Sequence, residues 1–318
     1  MFKRILVPLD GSSLAECVLP HVIALATLHD APVTLLRVME TREGHERSVF
    51  ANPLDAHLEG VIADAYLTEA ADRLSSVGIL AETVTLRGSA AEQIVAFARQ
   101  GDVDLIVMSS HGKSGLSAWN ISSVTQKVIL SAHRSVMVVR AYIPPREGEE
   151  LVPYRRVLVP LDGSQRAECI LPAAIALAQA HDAQLVLAHV VRKAEMPHRL
   201  RSCQEDMRLV ETLTGRQRRA AEVYLEELQA RLPVEAEVQL LIRSDVTGAL
   251  RELTERSACD LVMLSAHGHS GSPRSTYGSV AAGLIAYGST PLLIVQDLDG
   301  EQIEPLTAEL AAREQQGH

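Results

Sequence analysis

The chain repeats itself once, and this repeat limits the folds open to it more than any other feature. KRILVPLDGSSLAECVLPHVIALATLHDA (3–31) aligns with RRVLVPLDGSQRAECILPAAIALAQAHDA (155–183), with 20 of 29 positions identical at a constant offset of 152. DLIVMSSHGKSG (104–115) aligns with DLVMLSAHGHSG (260–271), with 7 of 12 identical at an offset of 156. That period exceeds the roughly 20–50 residues of stacked solenoid repeats and matches the size of one domain. We therefore read residues 1–143 and 154–298 as two copies of one domain. The join, YIPPREGEELVP (142–153), has three prolines and a run of charges, as a linker should. The polar tail 299–318 contains a helix-prone stretch (LTAELAARE) and receives no function.

Within each copy, strands and helices alternate. RILVPL and RVLVPL are continuous apolar runs, the mark of strands buried on both faces. Each runs into a DGS turn whose serine or aspartate can cap the next helix. That helix spaces its apolar residues helically (Ala15, Val18, Leu19, Ile23; Ala167, Ile170, Leu171, Ile175), and Pro20 and Pro172 predict a kink or an early boundary in it. A second strand follows (VTLLRVM; QLVLAHVV). Next come a long polar helix (about 53–76 and 203–231), a third strand and a third helix. DLIVMS and DLVMLS form the fourth strand, and a fourth helix and fifth strand close the unit. This alternation predicts an α/β fold with a parallel sheet and right-handed crossovers.

Composition narrows the function. The 318 residues are 47% hydrophobic and 22% charged, an ordinary globular mix, with a net charge of −10. A surface this acidic argues against nucleic-acid partners, which require a basic patch. Aromatics, at 3%, are too few for a base-stacking platform. No apolar run approaches the ~18 residues of a membrane span, and the N-terminus starts at once on a strand, so a cytoplasmic location is expected, with no membrane partner. The four cysteines (Cys17, Cys169, Cys203, Cys259) show no CxxC spacing, which predicts buried thiols and no metal site.

In an open parallel sheet, ligands bind beyond the carboxyl ends of the strands, where the strand order reverses. Asp10 and Asp162 end the first strand of each copy, Val38 and Val190 lie near the end of the second, and a small-residue segment follows the fourth. In SAHGHSGSPRSTYGSV (265–280), Ser265 and Gly268 stand at one end, and Gly278 and Ser279 open the last helix at the other. Glycine permits close backbone approach and positive φ, and the first amides of a helix attract anions. Together these features predict a cradle for phosphates. Lys113 in the first copy can add a point charge; its counterpart, His269, is mostly neutral at pH 7.

LVPLDGS, then DLIVMSSHG, then a small-residue pair opening the last helix, resembles the universal stress protein family over nearly the whole chain, as two tandem copies. The resemblance implies two open five-stranded sheets of order 3-2-1-4-5, flanked by helices, of the adenine nucleotide alpha hydrolase-like class. Its nucleotide-binding members carry G-x2-G-x9-G-[S/T], which reads Ser265, Gly268, Gly278, Ser279 in the second copy and Ser109, Gly112, Ser122, Ser123 in the first. The first glycine is serine in both copies, and the third survives only in the second. The implied binding set is Pro160, Leu161, Asp162, Val190, Ser265, His267, Gly268, His269, Ser270, Gly278, Ser279 and Val280, with Pro8, Asp10, Val38, Ser109, Gly112, Lys113, Ser122 and Ser123 as the weaker counterpart. The resemblance assigns Asp162 to the ribose or adenine edge and the backbone near Val190 to the adenine. The implied ligand is ATP, ADP or AMP, with Mg2+ accompanying the phosphates.

This reading predicts a stress-response sensor or regulator that binds an adenine nucleotide without fast turnover. It also predicts that the two copies pair through their last strands as an intramolecular pseudo-dimer capable of homodimerising. Two other readings remain open from sequence: a nucleotide-independent interaction module and a slow nucleotide hydrolase. Ser12, Asp10 and His111 lack the GxSxG elbow of a hydrolytic triad. His111 and His267 are expected to make structural hydrogen bonds. The HGH at 267–269 has no evident third metal ligand. Neither GxxxxGK[ST] nor GxGxxG occurs.

Overall fold

The computed structural model describes residues 2–40, 53–113, 115, 121–141, 154–193, 204–269 and 275–297. The chain divides into two compact units, Met1–Val152 and Pro153–His318. The linker, Ser270 and the tail all lie outside the described residues.

In the first unit, strands β1 (Ile5–Pro8), β2 (Val33–Met39), β3 (Ala81–Arg87), β4 (Leu105–Ser109) and β5 (Ser135–Val139) form a parallel sheet of order β3-β2-β1-β4-β5. In the second, β6 (Arg156–Pro160), β7 (Gln184–Arg192), β8 (Ala236–Arg243), β9 (Leu261–Ser265) and β10 (Leu292–Val295) repeat that order as β8-β7-β6-β9-β10. Both units thus have the expected 3-2-1-4-5 arrangement. The central strands are apolar along their length because helices cover both faces: Ile5, Leu6 and Val7 are buried, as are all five residues of β4 and of β9. Burying each such aliphatic side chain stabilises the fold by roughly 1.5–3 kcal/mol.

The first helix of each unit is broken. Ser12 and Ser164 cap a single turn, α1 (Ser13–Glu16) and α6 (Gln165–Glu168), and each hydroxyl accepts from the amide three residues on. A separate helix follows, α2 (Leu19–His29) and α7 (Leu171–His181), with its proline in the first turn. Proline has no amide to donate, so it is tolerated where a helix begins, and Pro20 and Pro172 mark a restart and not a kink. The long polar helices are α3 (Pro53–Ser76) and α8 (Gln204–Arg231). The third helices are α4 (Ala90–Gln100) and α9 (Val246–Arg256), and the last are α5 (Ser123–Ala132) and α10 (Ser279–Tyr287). Among the described residues no helix is long and apolar enough to cross a membrane.

One aspartate staples the N-terminal ends of the central strands in each unit. Asp260 Oδ2, just before β9, accepts from the amides of Arg155 (2.7 Å) and Arg156 (3.3 Å) at the start of β6. Asp104 does the same for Lys3 (2.7 Å) and Arg4 (3.1 Å). A hydrogen bond to a charged acceptor contributes about 1.5–3 kcal/mol. Asp260→Ala is therefore expected to destabilise the C-terminal unit by about 1–3 kcal/mol. Urea unfolding followed by hydrogen exchange in β6 and β9 would show this, and unchanged protection of the Arg155 and Arg156 amides would refute the staple.

Candidate functional site

The strand order reverses between β6 and β9, which opens a crevice at their carboxyl ends. The DGS turn after β6 supplies one wall. Gly163 takes φ +82°, a left-handed conformation that favours glycine, and turns the chain toward α6. Asp162 Oδ1 accepts from the Ser164 amide (3.0 Å) and hydroxyl (2.6 Å), while Oδ2 accepts from the His269 amide (2.6 Å) across the crevice. One carboxylate thus ties the turn after β6 to the loop after β9. Gly268 is a glycine for the same reason: a Cβ there would overlap the Asp162 carboxylate. Copy one repeats the clamp, with Asp10 accepting from Ser12 (amide 3.0 Å, hydroxyl 2.6 Å) and from the Lys113 amide, opposite Gly112. Burial pushes the Asp162 carboxyl up, but hydrogen bonds from Ser164 and His269 outweigh it and hold the group below the usual aspartate range.

The other wall is the start of α10. Gly278 is its N-cap, with φ −68° and ψ 166° and no side-chain cap. Its amide donates to the Ala266 carbonyl (2.8 Å), which fixes the helix end against the loop after β9. The amides of Ser279, Val280 and Ala281 in the first turn have no acceptor among the described residues. The expectation of positive φ at the motif glycines is not met: Gly278 has ordinary extended geometry, and neither Gly112 nor Gly268 takes positive φ. Glycine here leaves the helix end bare.

Ser122 in copy one has the same backbone, φ −70° and ψ 159°. The difference between the copies is therefore not one of backbone conformation. The Ser122 hydroxyl accepts from the Thr125 amide (3.2 Å) and lies 2.9 Å from the Thr125 hydroxyl, which donates to the Ser109 carbonyl (3.0 Å). Copy one caps its own helix where copy two leaves the amides open.

Pro160, Leu161, Asp162, Val190, Ser265, His267, Gly268, Gly278, Ser279 and Val280 all line one crevice of about 120 Å³. His269 contributes its amide to the clamp and leaves its side chain exposed. In copy one, Pro8 and Asp10 end the matching strand and turn, Val38 lies near the end of β2, and the Lys113 side chain is exposed. Sequence reasoning missed the apolar back of the crevice: Ala167, Ala188, Val246, Leu250 and Leu264. The i, i+4 pair Val246 and Leu250 at the start of α9 was the available signal.

Ser265 and Ser109 stand where the family pattern has its first glycine. Each donates its hydroxyl to a carbonyl two residues on, Ser265 to His267 (2.8 Å) and Ser109 to His111 (2.6 Å), and so shapes the loop. The His267 ring is buried between Asp297 Oδ1, 2.8 Å from Nδ1, and the Ser275 carbonyl, 2.6 Å from Nε2. Arg166 Nε holds the other Asp297 oxygen at 2.6 Å. Burial pushes the Asp297 carboxyl up, and the bonds from His267 and Arg166 bring it below its usual range. This triad joins α6, the loop after β9 and the end of β10. Its other two members, Arg166 and Asp297, were missed because they are far apart in sequence. The only sign was that copy one has Leu14 and Ala141 there.

Both aspartates titrate low in the folded state, so their contribution is complete above the unfolded aspartate value of about 3.9 and fades as pH falls through the folded values. Carbon-detected NMR titration is expected to place both carboxyls below free aspartate, with C-terminal unit stability falling only in acid. A titration at the free value would remove the clamp's electrostatic role. Gly268→Ala should part Asp162 from the His269 amide and expose that amide to exchange at neutral pH, and retained protection there would contradict the packing argument.

Comparison with known proteins agrees with this architecture. The family model described as the universal stress protein family matches residues 1–140 and again 153–296. Universal stress protein MJ0577 of Methanocaldococcus jannaschii is 34% identical over 155 residues, which cover 44% of this chain and 96% of that protein. Universal stress protein YxiE of Bacillus subtilis is 29% identical over 153 residues, covering 44% of this chain and 100% of the relative. The crystal structure of a universal stress protein from Archaeoglobus fulgidus superposes with TM-score 0.64 over 93% of this chain and 98% of that one, at 19% identity, a likeness of fold. Two copies of the family domain in one chain, each with the family's sheet order and turn, make this protein a tandem member of the universal stress protein family.

Proposed function

We propose that the C-terminal unit binds an adenine nucleotide, ATP foremost, and that the protein serves as a cytoplasmic stress-response sensor or regulator without fast turnover. The observation that carries this reading is the bare N-terminus of α10 facing a crevice with an apolar back. The Ser279, Val280 and Ala281 amides, with the Ser279 hydroxyl, suit phosphate oxygens. Ala188, Val246 and Leu250 suit an adenine ring, and the backbone near Val190 suits its polar edge.

Magnitudes explain why both halves are needed. Each helix-end contact contributes roughly 0.3–1 kcal/mol, whereas micromolar affinity needs about 8 kcal/mol. Phosphate contacts alone fall short, so base burial must supply much of the rest. Asp162 already accepts three internal hydrogen bonds, so its share in ribose recognition rests on its remaining lone pairs. Mg2+ would arrive on the phosphates, since no group of three or more His, Cys, Asp or Glu side chains suited to a metal occurs among the described residues.

The same geometry accords with slow turnover. Both His267 nitrogens lie against acceptors, which leaves this ring no free position from which to take a proton from attacking water. A cytoplasmic setting accords with the free thiols of Cys17 and Cys259, which burial pushes up to about 12 and about 11 and so keeps unreactive. In copy one the Ser122 hydroxyl competes for the helix end, so we assign that copy the lower affinity.

Calorimetric titration of the full chain with ATP should find one strong site per chain. Gly278→Asp separates the site from the fold, because φ −68° accepts any residue and the new carboxylate caps α10. Thermal stability should hold or rise by up to about 1 kcal/mol while ATP affinity drops about tenfold or more. Unchanged ATP affinity in this variant, or no ATP binding by the parent chain, would overturn the reading.

A further inference from the structure

Each unit carries a tyrosine on its long helix, Tyr66 on α3 and Tyr224 on α8, facing the end of its second strand. In copy one the compartment between that ring, β2 and the DGS turn is filled. Arg37 lays its guanidinium over the Tyr66 ring, with Cζ 5.2 Å from the centroid. The same group packs against Gly11, where a Cβ would run into it. Glu16 and Asp10 place negative charge near the Tyr66 hydroxyl.

Copy two has the same walls: Tyr224, Gly163, Glu168 and Asp162. The filling group differs, because residue 189 is histidine where copy one has Arg37. The shorter His189 side chain meets the Tyr224 ring at 66°, with centroids 6.3 Å apart. A Cβ on Gly163 would meet nothing within 4 Å. What opens is a cavity of about 330 Å³, against about 120 Å³ for the nucleotide crevice. Asp162, His189, Gln217 and Tyr224 line it, with exposed Arg192 at the rim. The Tyr224 hydroxyl bonds to the Glu168 carboxylate and His189 bonds to the Leu161 backbone, so the Tyr224 ring face and the Asp162 carboxylate are what the cavity offers a ligand. Glu168 and Asp162 bring negative charge toward that hydroxyl. Burial lowers the His189 pKa against the pull of Asp162, so the ring is neutral at pH 7 and does not repel a cation.

We propose that this cavity binds a small guanidinium-bearing cation, the free counterpart of the Arg37 head group, held over the Tyr224 ring and beside Asp162. A cation within about 6 Å of a tyrosine face is attracted by the ring's quadrupole, more strongly where water is excluded. A planar guanidinium adds directed donors for the carboxylate. Asp162 and Val190 border both cavities, but the inference rests on the difference between the two copies and not on nucleotide binding.

The probe is methylguanidinium, with neutral methylurea as the shape-matched control, titrated into the full chain by NMR. Methylguanidinium should shift the Tyr224 and His189 resonances saturably at about one site per chain, and methylurea should not. His189→Arg should tether a guanidinium in the cavity and remove the site. Tyr224→Leu should weaken binding by about tenfold or more. Arg37→His should open the matching compartment in copy one and raise the stoichiometry to about two. No saturable shift in the parent chain, equal response to methylurea, or unweakened binding in His189→Arg would overturn the proposal. ATP is titrated in parallel. Methylguanidinium bound without ATP leaves this inference standing and removes the nucleotide reading, and ATP bound without methylguanidinium does the reverse.

Discussion

A carboxylate facing a residue with no side chain organises each unit. Asp162 reaches across the mouth of the sheet to the His269 amide, and it can do so only because Gly268 leaves the space. This contact sets the distance between the turn after β6 and the loop after β9, and hence the width of the crevice. Asp10 and Gly112 do the same in the other unit. The aspartate and the glycine are one device. The charge is stable because it is solvated by protein donors, and the donors are aligned because the glycine lets them approach.

The reversal of strand order supplies the depression, and the clamp and helix α10 give it chemistry. Backbone amides then converge from the start of that helix, while apolar side chains from β7 and α9 close the back. His267, Asp297 and Arg166 brace the arrangement from behind. They are bonded to one another, which adds rigidity and leaves the crevice lip to backbone donors.

The strands were legible because they are buried on both faces: a run such as LIVMS fits the middle of a parallel sheet, and its recurrence between helical stretches in both copies reduces the ambiguity of one short apolar stretch. The long helices were legible from polar periodicity. The proline positions told of a break but not of its form, since a restart and a kink share the same residues. The role of Gly268 was misread as backbone freedom, because its neighbour Asp162 lies over 100 residues away. The Arg166–Asp297–His267 triad follows no spacing rule. The swap of Arg37 for His189 was visible in the repeat, but what it meant required knowing that Tyr66 and Tyr224 face those positions.

The hydroxyl of Ser122 has a further consequence for how the two halves respond to their surroundings. A domain that satisfies its own helix end gains less from an added anion at that end. A domain that leaves that end to an outside donor of negative charge ties its folding to the concentration of that molecule. On the proposed reading, one chain holds a half weakly coupled to a metabolite and a half strongly coupled to it, separated at this position by a single oxygen-bearing side chain.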